Sequence, residues 1–172
     1  MKLNEKVITR KSSDYKEISN FLKRVFPKDE LMPMWLINLL SKKKNYSLIG
    51  YYYEELFVGL TFTIENKESL FLFYLAVNDS IHSKGYGSKI LEILYEKYND
   101  KKIMLLIEAL DPLADNYNQR VKRLAFYERN KIKRTGLKAG FKEPILEILS
   151  TDENLKVSEC KKIFRGIPMK IY

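Results

Sequence analysis

Three apolar runs set nearly end to end restrict this chain more than anything else in it. Between Asn45 and Val77 it reads NYSLIGYYYE, LFVGLTFTIE and SLFLFYLAV, parted only by the short polar breaks EE and NKE. Tyrosine, phenylalanine and β-branched side chains suit a pleated, half-buried surface. Breaks of two or three residues suit hairpins, so the stretch predicts an antiparallel meander. It is followed by a loop with two glycines (SKGYGSKIL), a helical pattern with Ile90, Leu91, Leu94, Tyr95 and Tyr98 on one face, and a buried run, IMLLIEAL. Strand, crossover helix and strand in that order predict a right-handed parallel pair.

The flanks fill in the rest. EKVITRKSS predicts a short strand and a helix cap at Ser12 or Ser13. Tyr15, Ile18, Phe21, Leu22, Val25 and Phe26 then keep helical spacing up to Pro27. A second helix is expected over LMPMWLINLLSKK, with Pro33 in its first turn and Trp35 and Leu39 at core spacing. Beyond the parallel pair, DPLADNYNQ reads as a loop and RVKRLAFYERNKI as a helix. TGLKAGF reads as a turn region, PILEILS as a late strand and DENLKVSECKKIF as a terminal helix. The sum is one α+β domain over residues 1–172, its sheet mixed and mostly antiparallel, with no internal repeat or linker.

Bulk properties narrow the function classes. No stretch approaches the roughly 18 apolar residues of a membrane span, and the basic start, MKLNEKVITRKSSDYKE, has no apolar segment behind it. The single cysteine, Cys160, excludes an internal disulfide framework and a cysteine-based zinc cage. A cytoplasmic protein without a metal is expected. The net charge of +9 favours anionic ligands, yet the lysines are scattered, and charge alone does not choose between a polyanion and a solvated surface.

The glycine loop is the informative motif. A strand that ends in a small, basic, glycine-broken loop and runs into a helix can hold a phosphate. It is not a P-loop, because Gly87 is followed by Ser88 and Lys89 in the wrong order and the first glycine is missing. It is not a dinucleotide fingerprint, because Ile90 stands where the third glycine belongs and the strands before it are antiparallel. The stretch AVNDSIHSKGYGSKILEIL resembles the coenzyme A-binding motif of the GCN5-related N-acetyltransferases (GNAT). Gly85 and Gly87 take the glycines of that family's Q/R-x-x-G-x-G/A core, Val77 ends the strand before it, and Ile90 and Leu91 form the aliphatic pair. Asp79 stands where proline is common, His82 where arginine or glutamine is usual, and Ser83 where glycine is frequent. RLAFYERN resembles the second signature, A-x-x-[FL]-Y-x-x-x-G-F, with Gly-Phe delayed to Gly140 and Phe141. Its helix is therefore expected to run longer than usual.

The resemblance implies a GNAT fold whose twisted sheet is splayed for coenzyme A and flanked by helices. It also implies transfer of an acetyl group from acetyl-coenzyme A to an amine. The pantetheine arm would pair with Leu75, Ala76 and Val77, whose amides would face the developing oxyanion. The pyrophosphate would lie on the loop of His82, Ser83, Gly85, Tyr86, Gly87 and Ser88, with Lys84 and Lys89 as candidates for the remaining phosphate, and Asn118, ahead of the next helix, would contact the pantetheine. Tyr127 would reprotonate the sulfur. Glu108, ending IMLLIE, is the candidate base, with Tyr74 or an ordered water as rivals and Arg123 as an ion-pair partner for Glu108. Met32, Met34, Trp35 and Tyr51 to Tyr53 are candidates for the acceptor side. Two other readings stay open: a degenerate member that binds acetyl-coenzyme A without turnover, and a basic nucleic-acid-binding module, although no nucleic-acid recognition motif appears. The acceptor's identity, and a homodimer contact through the last strand and helix, also stay open.

Overall fold

The computed structural model describes residues 2–28, 30–81, 85–140, 146–165 and 170–172. In chain order the elements are β1 (Asn4–Val7), α1 (Tyr15–Val25), α2 (Met34–Leu40), β2 (Tyr46–Tyr53), β3 (Leu56–Glu65), β4 (Ser69–Val77), α3 (Tyr86–Lys97), β5 (Lys102–Glu108), α4 (Tyr117–Arg129), β6 (Lys133–Gly140), β7 (Leu146–Ser150), α5 (Val157–Ile163) and β8 (Lys170–Ile171). The strands form one open sheet in the order β1-β2-β3-β4-β5-β7-β6-β8. Among the described residues β4 and β5 supply its parallel pair. The α+β fold class and the meander read from the sequence are thus present. No helix of the described residues is long and apolar enough to cross a membrane.

The chain divides into two compact units. The first comprises residues 1–64 and 73–94. Its strands alternate as the pleat dictates. Leu48, Leu60, Phe62, Tyr74 and Ala76 face α1 and α2, meeting Ile18, Phe21, Leu22 and Ile37. Ile49, Tyr51 and Val58 face the other way, toward Tyr86 and Ile90 of α3. Helix α1 stops at Phe26, which is extended at φ −111° and ψ 136° because Pro27 follows it. Its start differs from the expectation. The Ser12 hydroxyl accepts from the Thr9 amide at 2.9 Å, and Asp14 occupies the cap position without capping the helix. The Asp14 carboxylate is drawn away by Lys6 at 3.0 Å and by the Tyr52 hydroxyl. Helix α2 begins after Pro33, which is its cap residue. Ile37 is its buried side chain, whereas Trp35 and Leu39 are 65% and 51% exposed. The helix is only two turns long and presents one apolar row to the sheet, so the core placement of Trp35 and Leu39 is corrected.

The second unit comprises residues 65–72 and 95–172. Asn66 makes the turn before β4, its side-chain oxygen accepting from the amides of Glu68 (2.9 Å) and Ser69 (2.8 Å). Ser69–Leu72 pair in parallel with Lys102–Leu105, and β5 continues antiparallel onto β7 from Met104 to Glu108. TGLKAG, expected as a turn, is strand. β6 pairs with β7 on both sides of a register shift between Arg134 and Lys138, and Gly136 at φ +76° absorbs the shift. The two-residue β8 had no sequence signal. It is held by a reciprocal pair of backbone bonds between Lys138 and Tyr172 at 3.1 and 2.8 Å.

Gly59 is fixed by space. A Cβ there would lie 2.5 Å from the Ala76 carbonyl oxygen and 3.3 Å from the Val77 Cα. Gly59→Ala is expected to lower stability by about 1–3 kcal/mol in urea unfolding, because backbone must move to admit it.

Candidate functional site

One group of candidate residues lies in the first unit, where β4 runs past its ladder. β4 and β5 are paired only over Ser69–Leu72 and Lys102–Leu105, while β4 continues to Val77. Among the described residues, Tyr74–Val77 therefore have β3 on one side and no ladder partner from β5 on the other. An extended stretch with one row of unpaired amides and carbonyls is a template for another extended chain. Leu75, Ala76 and Val77 lie on that stretch. Asn78 terminates it: its amide donates to the Val58 carbonyl at 2.9 Å, its side-chain nitrogen donates to the Phe57 carbonyl at 2.9 Å, and its side-chain oxygen accepts from the Ser80 amide at 3.1 Å. Asp79 pairs with Arg24 at 2.6 Å, and that bond holds its carboxyl below the usual range. Arg24 also lines a groove of about 190 Å³ with Glu17, Asn20, Phe21, Phe57, Asn78 and Ser80.

Helix α3 then starts from Gly85, whose φ of +73° requires glycine although a Cβ there would meet nothing within 4 Å. The first turn closes with the Lys89 amide on the Gly85 carbonyl at 3.0 Å. The amides before it have no acceptor within the helix, and they point where the dipole is positive. The Tyr86 side chain is not part of this surface. It is buried among Ile49, Val58 and Ile90, so a ligand meets its backbone only. Gly87 is buried and Ser88 half-buried. Lys89 is tied to Glu92 at 2.6 Å, an i,i+3 pair on the same helix. His82, Ser83 and Lys84 lie outside the described residues.

Another group lies in the second unit, at the end of β5 and along α4. Glu108 is closely held. Its oxygens accept from Arg120 at 2.8 Å, from Arg123 at 3.2 Å and from the Asn116 side chain at 3.2 Å. Arg120 is committed on every side, to Asn116 at 2.7 Å and the Ala109 carbonyl at 2.8 Å as well as to Glu108. The expected partner Arg123 is present, but the sequence reading missed Arg120 and Asn116. Arg120, Arg123 and Tyr127, three and four residues apart, are the one-faced helical signal that could have shown them. The helix itself begins earlier than expected, so Asn118 is exposed in its first turn rather than ahead of it.

Tyr127 is 9% exposed, and burial pushes its phenol up to about 12, with Arg123 pulling the other way. Among the described residues its hydroxyl makes no hydrogen bond. Tyr95, which donates to the Asn130 carbonyl, is likewise pushed up to about 12 by burial. The expected lengthening of this helix is also corrected. α4 ends at Arg129, and Lys131 adopts φ +66° before the fully buried Ile132. Lys131 and Ile132 thus stand four and five residues after Tyr127, where the family signature has Gly-Phe. Gly140 ends β6 instead, and Phe141 lies outside the described residues. Tyr74, a rival for the base, has its hydroxyl engaged, donating to the Glu30 carbonyl at 3.0 Å and accepting from the Met32 amide at 2.9 Å. Cys160 is buried, which raises its thiol to about 11 and leaves it inert.

No family model matches the chain, and a search of curated proteins finds no relative. Its fold matches many solved structures. A Bacteroides thetaiotaomicron chain assigned to the GNAT family of acetyltransferases superposes with a TM-score of 0.74 at 17% identity, over 95% of this chain and 97% of that one. The ribosomal-protein-S18-alanine N-acetyltransferase of Escherichia coli gives 0.62 at 13% identity, over 90% and 99%. A GNAT-family acetyltransferase of Elizabethkingia anophelis with acetyl-coenzyme A bound gives 0.59 at 11%, over 87% and 97%.

Two outcomes follow from this geometry. Lys131→Gly is expected to raise stability by about 0.5–1 kcal/mol in urea unfolding, because glycine adopts a positive φ without steric cost. Tyr127 ionises near 12 when folded but near 10 when unfolded. The unfolded chain therefore loses its proton first, and stability falls as pH rises from about 10 to about 12. Tyr127→Phe is expected to flatten that fall in alkaline unfolding curves.

Proposed function

We propose that this chain, whose fold is that of the GCN5-related N-acetyltransferases, forms one acetyltransferase domain over residues 1–172 that moves an acetyl group from acetyl-coenzyme A to a primary amine. The observation that carries the reading is the end of the β4–β5 ladder at Leu72 and Leu105, followed within one loop by Gly85 and the start of α3. A free strand edge beside a glycine-opened helix start matches the two chemical parts of the cofactor, an amide-bearing arm and a pyrophosphate. Acetyl-coenzyme A supplies the thioester. In the reaction we assign, Leu75–Val77 pair with the arm through their backbone, and their amides meet the charge that builds on the acetyl oxygen. The amides at the start of α3 take the pyrophosphate, which asks nothing of the Tyr86 side chain. His82, Ser83 and Lys84 belong to the same loop in this reading, and Asn118, exposed on the first turn of α4, remains the candidate for the arm's polar groups.

Tyr127 serves as the acid. A phenol kept protonated by burial holds its proton at neutral pH and has it available to share with the sulfur as the C–S bond breaks. The oxygens of Glu108 are occupied by Arg120, Arg123 and Asn116, so it is not our choice for the base. Tyr74 is committed to the segment before α2. The amine therefore gives its proton to water along the free edge of β4. Among the solved neighbours, one is named as a ribosomal-protein-S18-alanine N-acetyltransferase and one as an aminoglycoside 6'-N-acetyltransferase, which supports that class here.

Calorimetric titration with acetyl-coenzyme A tests the reading. Micromolar binding is expected for the unaltered chain and none for Gly85→Glu or Gly87→Glu; absence of binding in all three would overturn it. With an amine that is accepted, Tyr127→Phe is expected to lower kcat by about 10²-fold with little change in the KM for acetyl-coenzyme A, read from thiol release.

A further inference from the structure

We propose that Arg123 is a positioning residue for the departing sulfur: held by Glu108 one helical turn before Tyr127, it supplies the positive charge against which Tyr127 gives up its proton. The inference rests on the acetyltransferase reading. It begins with an imbalance of charge at the end of β5. One carboxylate, Glu108, faces two guanidinium groups, Arg120 and Arg123. Arg120 is 14% exposed and spends its donors on Glu108, Asn116 and the Ala109 carbonyl. It neutralises Glu108 in a closed network. Arg123 is 44% exposed and reaches Glu108 through a single nitrogen at 3.2 Å. The surplus positive charge of the cluster therefore resides on Arg123.

Arg123 and Tyr127 are four residues apart on α4 and share a face. The charge acting on the Tyr127 phenol is Arg123 on its own helix; Tyr95, from α3, is in turn raised by Tyr127. Burial alone would make Tyr127 a very weak acid; a cation at helix-turn distance offsets part of that penalty. In the step itself the Tyr127 O–H bond breaks with its electron pair left on oxygen. The thiolate pair forms the S–H bond, and the phenolate recovers a proton from water. Both anions of this exchange, sulfur before and phenolate after, are favoured by the same neighbouring charge.

The test compares Arg123→Gln, which removes the charge, with Arg123→Lys, which keeps it. Without turnover, calorimetry compares coenzyme A with acetyl-coenzyme A from pH 7 to 9.5. The unaltered chain and Arg123→Lys are expected to bind coenzyme A progressively tighter than acetyl-coenzyme A as a growing fraction of its thiol ionises. Arg123→Gln is expected to lose that rise. In turnover, Arg123→Gln should lower kcat about tenfold at unchanged KM for acetyl-coenzyme A. It should have no further effect when Tyr127→Phe is already present. An unaltered pH dependence of binding in Arg123→Gln, or losses that add to those of Tyr127→Phe, overturns the role of Arg123 and leaves the acetyltransferase reading standing. Failure of the unaltered chain to bind either ligand overturns both.

Discussion

The four-residue parallel ladder between Ser69–Leu72 and Lys102–Leu105 is the constraint on which the rest depends. It must exist, because a strand–helix–strand crossover buries β5 beside β4 only by pairing with it. It must also stop, because the chemistry proposed here needs the later residues of β4 to keep one row of backbone groups for a ligand. The two requirements are met by dividing the strand. Its first four residues serve the sheet of the second unit, and its last five serve the core of the first. Exposed strand edges are ordinarily an invitation to aggregation. Here Asn78, with three bonds around the strand's end, bounds the edge sharply.

Much of the architecture was legible because it is written in local chemistry. The aromatic and β-branched runs fixed β2, β3 and β4 by period and punctuation, and the glycine loop marked the start of α3 correctly. What escaped the sequence was decided by tertiary context. Trp35 and Leu39 fit a helical core stripe, but α2 is too short to bury more than the Ile37 row. Lys133–Gly140 carries two glycines and alternates poorly, which hid a strand whose partners are β7 and the brief β8. Lys131 in a left-handed conformation is invisible to pattern reading, because nothing about lysine announces it.

The candidate site shows the same division. Residues proposed to act through backbone, such as Leu75–Val77 and Gly85, are placed by the resemblance of a motif, since conformation is what the motif encodes. Residues that contribute charge are harder, because a carboxylate at a strand end looks alike whether free or clasped. Glu108, a candidate base by its place at a strand end, is held by Arg120 and Asn116, which that place does not announce. The formal surplus of +9 was equally mute, since a sum says nothing of where charge sits, and ion pairs such as Lys101 with Glu65 and Lys102 with Asp152 and Glu159 leave it unchanged.

The alternation of β4 has a bearing on how such a chain can change over generations. Tyr74 and Ala76 look toward α1 and α2, where Tyr74 also tethers the segment at Glu30 and Met32; Leu75 and Val77 look toward α3. Inserting or deleting a single codon between Phe73 and Val77 would exchange the two sets, stranding the tether and reversing the strand edge in one event. The Asn66 turn, a few residues earlier, could lengthen without disturbing either. Descent should therefore leave β4 constant in length while the hairpin before it drifts.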